Sequence, residues 1–497
     1  METLARAANR GSISTGPYEI DNSLKFEEDN SESLWKTFSS EGTGTGKTFT
    51  ISGWVKRTEL GGIDIFMGVG RAVGSDVNDG AVRFNSDQFQ FVNFASNAYN
   101  VRTNAVFRDT SAWYHIIVAV DTTQGTDSNR VKLYVNGEQQ TSLTGTAYPT
   151  QNYQFKWGRA EEHVIGARPD SDATAGVAQV SQFWSGYMSD VYFIDGSQLA
   201  PTDFGEVDED SGIWKPIKAS PTFGTNGFKL EFKSSGSLGA DTSGNGHTFT
   251  LNNITAADQA TDTPTNNFCT LFPPPDAVSG TEPSVKEGGT TIFGGSASTQ
   301  NAFGTLGVRS GKWYFESTIT NSGGVGTENH GFGVIDPEQI TYVMTSGRDV
   351  GASPAGWSCA GNANPRNNNS GASGANYLTA PGINVVFGCA LDMDNGKIWW
   401  HNAGTWHSLN STVGNPANGT SPAWSNLLTA TDNFVIPAVG YYVYNNAQVR
   451  ATNFGGYALP VFTAVGTHSD ANGYGSFAYA PPSGYYALCT KNLAEFG

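Results

Sequence analysis

Three short stretches carry residue types whose spacing could do chemistry. Gly44-Thr45-Gly46-Lys47-Thr48 ends in the Gly-Lys-Thr of a phosphate-binding loop. That motif places its first glycine at position 41, where this chain has Glu41, whose carboxylate would face the phosphates. It must also open a helix, which supplies amide donors and a positive dipole end. Instead Phe49, Ile51 and Val55 alternate with Thr48, Thr50 and Trp54, a strand period. The stretch therefore predicts a glycine-rich turn feeding a strand. Glu161-Glu162-His163 offers metal-ligand and acid–base groups. Adjacent strand residues point to opposite faces, so Glu162 cannot share a face with both neighbours, and a solvated strand edge is expected. Asp392-Met393-Asp394-Asn395-Gly396 is one residue short of a calcium-loop order, and Asn402 stands where the closing glutamate belongs. A tight hairpin turn at Asn395-Gly396 is expected, with Trp399 or Trp400 inward.

Catalysis lacks a local signature. Glycoside hydrolysis needs two carboxylates about 5 to 10 Å apart. Glu316, Glu328, Asp336 and Glu338 are available, but nothing marks a pair. Neither a G-x-S-x-G elbow nor H-E-x-x-H occurs. The expectation is a protein that is not an enzyme. Gly356–Tyr377 is the most suggestive surface, because Asn, Ser and Gly give adaptable hydrogen bonding. Trp357, Arg366 and Tyr377 add stacking faces and a donor fork, and Trp406 joins them as a fourth ligand-binding candidate. A solvated loop with Trp357 in the core is the equal alternative.

Composition sets the frame that must position these residues. Charged residues make up only 15%, and glycine is abundant at 61 residues. Helix-forming Lys and Glu are scarce, and aromatics reach 12%. This is the composition of an all-β protein with long polar loops. The net charge is −17 and no basic cluster runs along the chain, which argues against nucleic-acid partners and adhesion to anionic bilayers. No run approaches a membrane span, and the N-terminus has no apolar segment of signal-peptide length, so membrane insertion is not expected. Cys269, Cys359, Cys389 and Cys489 form no C-x-x-C pair. Reduced, buried thiols are the default, although spacing does not exclude a disulfide.

The pass along the chain divides it into an irregular arm over 1–18, strands at short spacing over 19–200, a Pro-, Gly- and acid-rich connector with short strands over 201–284, and a second strand set over 285–497. In "VKLYVNGEQQ" the Asn136-Gly137 pair after an alternating strand signals a hairpin. The fold class is all-β, as two antiparallel, jelly-roll-like β-sandwiches. "LKFEEDNSESL", "TISGWVK", "WYHIIVAVD", "VKLYVNG" and "GYMSDVYFIDG" resemble the laminin-G-like, concanavalin-A-type jelly roll, most closely as it occurs in bacteriophage structural proteins. "SGKWYFESTI", "HGFGVID", "VVFGCALDMDNGKIWWHNAGTW", "FVIPAVGYY" and "ATNFGG" resemble the SPRY domain, and "FAYAPPSGYYALCTKNL" resembles the tails that follow such domains in phage proteins.

The resemblance implies a phage virion protein, of tail-fibre or host-attachment type, that binds host-surface glycans through multivalent loop contacts. Its partners would be other virion proteins and a host glycan or receptor. It would be a homo-oligomer such as a trimer, with Leu4–Ile13 as the anchor. A capsid decoration or tail scaffold protein without ligand is the alternative, and a glycan-degrading enzyme the second. No cofactor is implied beyond a structural Ca²⁺ at the rim of the first sandwich, for which the resemblance offers Asp121 and Asp127.

Overall fold

The structure, a computed structural model, describes every residue except 1–17, 71–79, 94–97, 170–177, 274–282, 295–299, 323–329, 347–348, 361–364, 369, 372–381, 408–412 and 442–447. The arm read over 1–18, its anchor and Tyr377 thus lie outside the described residues, apart from Tyr18. The fold is all-β, and the chain divides into two compact units at Thr265/Asn266.

In the first unit one sheet runs in the order Glu138–Gln139, Val131–Val135, Trp113–Asp121, Thr48–Arg57, Gly186–Asp195, Ser23–Phe26, Gln259–Ala260. The facing sheet runs Leu143–Ala147, Asn100–Val106, Gln88–Asn93, Gly80–Asn85, Ile63–Val69, Glu162–Ile165, Ser33–Thr37, Thr250–Asn252. Period-two alternation builds the core: Phe49, Ile51 and Val55 meet Phe84, Phe89, Phe91 and Trp157 between the sheets. The Asn136-Gly137 hairpin forms as expected, both residues having positive φ, 48° and 81°. Gly44-Thr45-Gly46-Lys47 is a turn, and Thr48–Arg57 a strand.

The stretch read as a connector is not a separate element. Phe228–Leu230, Thr250–Asn252 and Gln259–Ala260 each join a first-unit sheet, whereas Leu271–Phe272 and Ser284–Lys286 join second-unit sheets. The physical reason is the outer face of the first sheet. Ile117, Ala119, Tyr192 and Ile194 are apolar there, and Leu199, Phe204, Ala219 and Phe223 cover them.

The second unit also has two antiparallel sheets. One runs Leu271–Phe272, Gln300–Gly304, Ile436–Tyr441, His330–Ile335, Gly356–Ala360, Pro365–Asn367, Ser370–Gly371. The other runs Ser284–Lys286, Thr291–Phe293, Gln448–Asn453, Lys312–Ser322, Val386–Asp392, Lys397–Asn402, Thr405–Trp406. Trp313, Phe315, Phe332, Trp357, Leu391 and Trp400 fill the space between them. Trp399 points the other way, with Tyr314 and Ala390, and the C-terminal segment covers that face through Phe477, Tyr485 and Ala487. The turn after Asp392 closes on Gly396 at φ 65°, and Asp392 Oδ1 accepts from the Asn395 amide at 3.1 Å. All four cysteines are buried. Among the described residues no helix is long and apolar enough to cross a membrane.

Candidate functional site

The residues singled out in the second unit do not converge. Trp357 is fully buried between the sheets and its Nε1 donates to Asn426 Oδ1 at 2.9 Å, so it cannot stack on a ligand. Alternation along Gly356–Ala360 turns Trp357 and Cys359 inward, which corrects Trp357 from binding face to core. Arg366 donates through Nη1 to Asp349 Oδ2 at 2.8 Å. Trp406 lies in the other sheet, half-buried, edge-on to His401 at 4.8 Å. The carboxylates are equally committed. Asp336 accepts from the amides of Glu338 and Thr431, and Glu316 is buried.

Glu161-Glu162-His163 is not a solvated edge. Glu162–Ile165 lies inside its sheet, with Glu162 and His163 buried. His163 packs among Phe38, Trp157 and Phe193. Its Nε2 accepts the Gly158 amide at 2.9 Å, and burial pushes its pKa down to about 4. A neutral ring that accepts a backbone N–H serves the core.

The calcium implied for the first unit does not fit the residues present. Asp121 Oδ1 accepts from the Thr123 amide and hydroxyl at 3.0 and 2.7 Å, and Oδ2 accepts from Gln124 Nε2 at 2.6 Å. Asp127 Oδ1 accepts from the Ser128 amide. The nearby carbonyls of Gln124, Gly125 and Pro149 accept from the guanidinium of Arg130 at 2.9, 2.8 and 2.8 Å. A side-chain cation thus takes the oxygens that a metal would use, and Ca²⁺ needs six to eight of them. Among the described residues no group of three or more His, Cys, Asp or Glu could hold a metal.

A site that the sequence did not single out lies at the rim of the same unit. Tyr99, Tyr153, Gln154, Phe155, Lys156, Arg159 and Glu161 line a cavity of about 240 Å³. Tyr153 lies edge-on to Phe155 at 4.9 Å and to Tyr99 at 6.0 Å, and Tyr99 stacks on Phe91 at 4.6 Å. The glycine-rich turn positions this wall. Gly46 O accepts the Phe155 amide at 2.8 Å, and Thr45 O accepts from Gln154 Nε2 at 2.9 Å. Gly46 has φ +69°, and a Cβ there would sit 2.2 Å from Phe155 O. Glu41 accepts from Arg159 Nε at 2.7 Å, which lowers the Glu41 pKa and raises that of Arg159. Lys156 and Glu161 pair at 3.9 Å. Burial raises the pKa of the Tyr153 hydroxyl. Tyr99 and Phe155 are buried, so the cavity presents amide, ammonium, guanidinium and carboxylate groups beside the half-buried Tyr153. Glu161 is its one lining carboxylate among the described residues, whereas glycoside hydrolysis requires two. The signal in the sequence was "NYQFKW", whose aromatics alternate but fold as a loop.

Residues 30–199 match the Laminin_G_3 family model, described as the concanavalin A-like lectin/glucanases superfamily. No curated protein matches the chain at a significant level. Among solved structures, the chain is similar to a heptameric SAP-like pentraxin from Limulus polyphemus at 16% identity, covering 36% of this chain and 78% of that one, with a TM-score of 0.28. It is similar to the SPRY domain of human HERC1 at 17% identity, covering 34% and 91%, with a TM-score of 0.26. It is also similar to the CBM40 domain of the Ruminococcus gnavus IT-sialidase at 14% identity, covering 36% and 93%, with a TM-score of 0.26.

Proposed function

We propose that this chain is a non-catalytic glycan-binding protein whose first unit takes a terminal sugar ring in the rim cavity. The half-buried Tyr153 beside the polar groups of Gln154, Lys156, Arg159 and Glu161 carries this reading. Sugar C–H faces pack on aromatic rings, while hydroxyls take the amide and charged groups of Gln154, Lys156, Arg159 and Glu161. A volume of about 240 Å³ is below the range for drug-sized ligands, which suits one ring rather than a buried oligosaccharide. The match of residues 30–199 to a lectin/glucanase superfamily supports the same reading. Screening the full chain on a glycan array tests it. Binding to a subset of glycans is expected, weakened at least about tenfold by Tyr153→Ala or Lys156→Ala. Binding by neither parent nor variants, or binding that ignores both substitutions, overturns it. The virion setting, with a host-surface glycan as ligand, virion proteins as partners and a homo-oligomeric form, rests on the sequence resemblance. Immunogold labelling of intact particles tests that part, and label on no particle refutes it.

A further inference from the structure

The loop that carries the charged groups of the rim cavity is pinned by its own backbone. The Arg159 amide donates to the Lys156 carbonyl at 3.2 Å, and the Glu161 amide to the Arg159 carbonyl at 2.7 Å. The Phe38 amide donates to the Glu161 carbonyl at 3.1 Å. His163, fully buried, closes the loop from behind. Its Nε2 accepts the Gly158 amide, so the ring proton sits on Nδ1 and is given to the Glu161 carbonyl at 3.1 Å. One buried ring thus fixes both Gly158 and Glu161, and the loop is ordered before any ligand arrives. That reduces the entropy lost on binding.

The polar groups on this loop are not equivalent. Arg159 Nε donates to both carboxylate oxygens of Glu41, at 3.0 and 2.7 Å. Gln154 Nε2 is spent on the Thr45 carbonyl at 2.9 Å. Lys156 Nζ and Glu161 Oε1 stand 3.9 Å apart, too far for a direct hydrogen bond. Their side chains are 16% and 29% exposed, so both reach solvent at the cavity. The ammonium only donates and the carboxylate only accepts. An anion placed between them would satisfy Lys156 and be repelled by Glu161, and a cation would do the reverse. Two adjacent hydroxyls meet both without charge, because each can donate or accept. The charges of Lys156 and Arg159 cancel those of Glu41 and Glu161, and the chain's net charge of −17 draws no anion toward the rim.

We propose that the rim cavity reads a neutral sugar through two adjacent hydroxyls, one accepting from Lys156 Nζ and the other donating to Glu161. This rests on the glycan reading above and adds to it a ligand class and the two residues that select it. Acidic sugars bring a carboxylate toward Glu161, and amino sugars bring an ammonium toward Lys156, so both are rejected. An epimer that moves one of the two hydroxyls loses one of the two contacts, so the pair also separates sugars of equal composition. Arg159 and Gln154 shape the rim, His163 positions it, and Lys156 and Glu161 make the choice.

Calorimetric titration of the full chain with the glycan it retains best on the array, and with monodeoxy forms of that glycan's terminal sugar, tests the proposal. The terminal sugar should be neutral, and added salt should change its affinity by less than about twofold. Loss of either of two adjacent hydroxyls should weaken binding at least about tenfold, as should Glu161→Ala and Lys156→Ala, since each removes a hydrogen bond to a charged group. In Glu161→Ala, loss of the hydroxyl that donates to Glu161 should cost little more. Should either alanine variant not fold, Glu161→Gln and Lys156→Gln decide. A best-bound glycan ending in an acidic or amino sugar, tolerance of every monodeoxy form, or folded Glu161 variants that bind like the parent would each overturn this inference and leave the glycan reading standing. An array on which no glycan is retained would overturn both.

Discussion

Each unit lays the chain that follows its strands across the outer face of one sheet, and each buries a neutral histidine there, but the fastenings differ. In the first unit His115 is sandwiched between Trp54 at 4.8 Å and Trp214 at 6.0 Å. Trp214 Nε1 donates to His115 Nδ1 at 3.0 Å, so the ring proton sits on Nε2 and is given to Ser52 Oγ at 2.8 Å. No formal charge enters this chain of hydrogen bonds. A histidine that donates to serine also cannot act as its base, so the Ser52–His115 contact is structural. In the second unit His401 Nδ1 accepts from the amides of Gly388 and Gly404, and Nε2 donates to the Tyr314 hydroxyl at 2.7 Å. Tyr314 in turn donates to Glu316 Oε1 at 2.9 Å. Glu316 takes three more donors: the Tyr479 amide on Oε1 and the Ala478 amide and Asn453 Nδ2 on Oε2, at 2.8, 2.8 and 3.1 Å. Burial pushes its pKa up to about 7 against these donors. At His115 the first extension is thus held by packing and neutral hydrogen bonds, with buried ion pairs of Asp258 to Lys25 and Asp262 to Lys56 fastening its far end at 3.0 and 2.7 Å, whereas the second is held by a buried acid that grips the tail's backbone. A buried acid concentrates the dependence on one side chain, because removing it orphans every donor at once.

The sharpest way to break this contrast is Glu316→Ala. It leaves four donors without their acceptor and should destabilise the second unit by at least about 3 kcal/mol. Hydrogen exchange should rise at Ala478 and Tyr479 while the first unit's amides stay protected. If the tail amides remain protected, Glu316 is not the fastener. Trp214→Ala should cost less, about 2 kcal/mol, because Trp214 is only half-buried. It should free 205–216 to exchange and raise the His115 pKa from about 3, which histidine NMR titration reads directly.

The rim loop offers a third test. Arg130→Ala should lower the first unit's stability by about 1 kcal/mol, since three carbonyls lose their donor. EDTA should leave the melting curve of the parent unchanged, and a drop on chelation would restore the calcium reading. Asn136→Ala, at φ 48° and losing an acceptor for the His115 amide at 2.8 Å, should cost about 1 kcal/mol.

The last test is in pH. Burial depresses the folded pKa of His401 to about 3, below the ordinary 6.5 of the unfolded chain. The unfolded state therefore binds the proton first, and the stability from a neutral His401 is present above pH 6.5 and lost as pH falls toward 3. His401→Gln lacks this loss, so its deficit against the parent should shrink on acidification by up to about 1.4 kcal/mol per pH unit. A deficit that stays constant from pH 7 to 5 would show that His401 titrates in the folded protein.

The fold class was legible because strand alternation and turn chemistry are local. Phe49, Ile51 and Val55 declare one face, and Asn136-Gly137 can form only a tight turn. Gly46 was read correctly as a turn glycine, but its role in seating Phe155 needed a neighbour more than a hundred residues away. The candidate binding residues fared differently. Trp357 and Arg366 suit a sugar by type, yet type does not say which side of a strand looks inward once the partner sheet is in place. His163 misled in the same way, because a polar name suggests solvent until its acceptor is found in the Gly158 amide.

By itself, then, the sequence determined an acidic, charge-poor all-β chain with two sets of strands, since these follow from composition and period-two patterning. Only the tertiary structure decided that residues 201–265 complete the first unit, that Arg130 takes the carbonyls of Gln124, Gly125 and Pro149, and that Tyr99, Tyr153 and Arg159 share a cavity. Each of these depends on contacts between residues distant in the chain, and periodicity carries no information about which distant partner will be met.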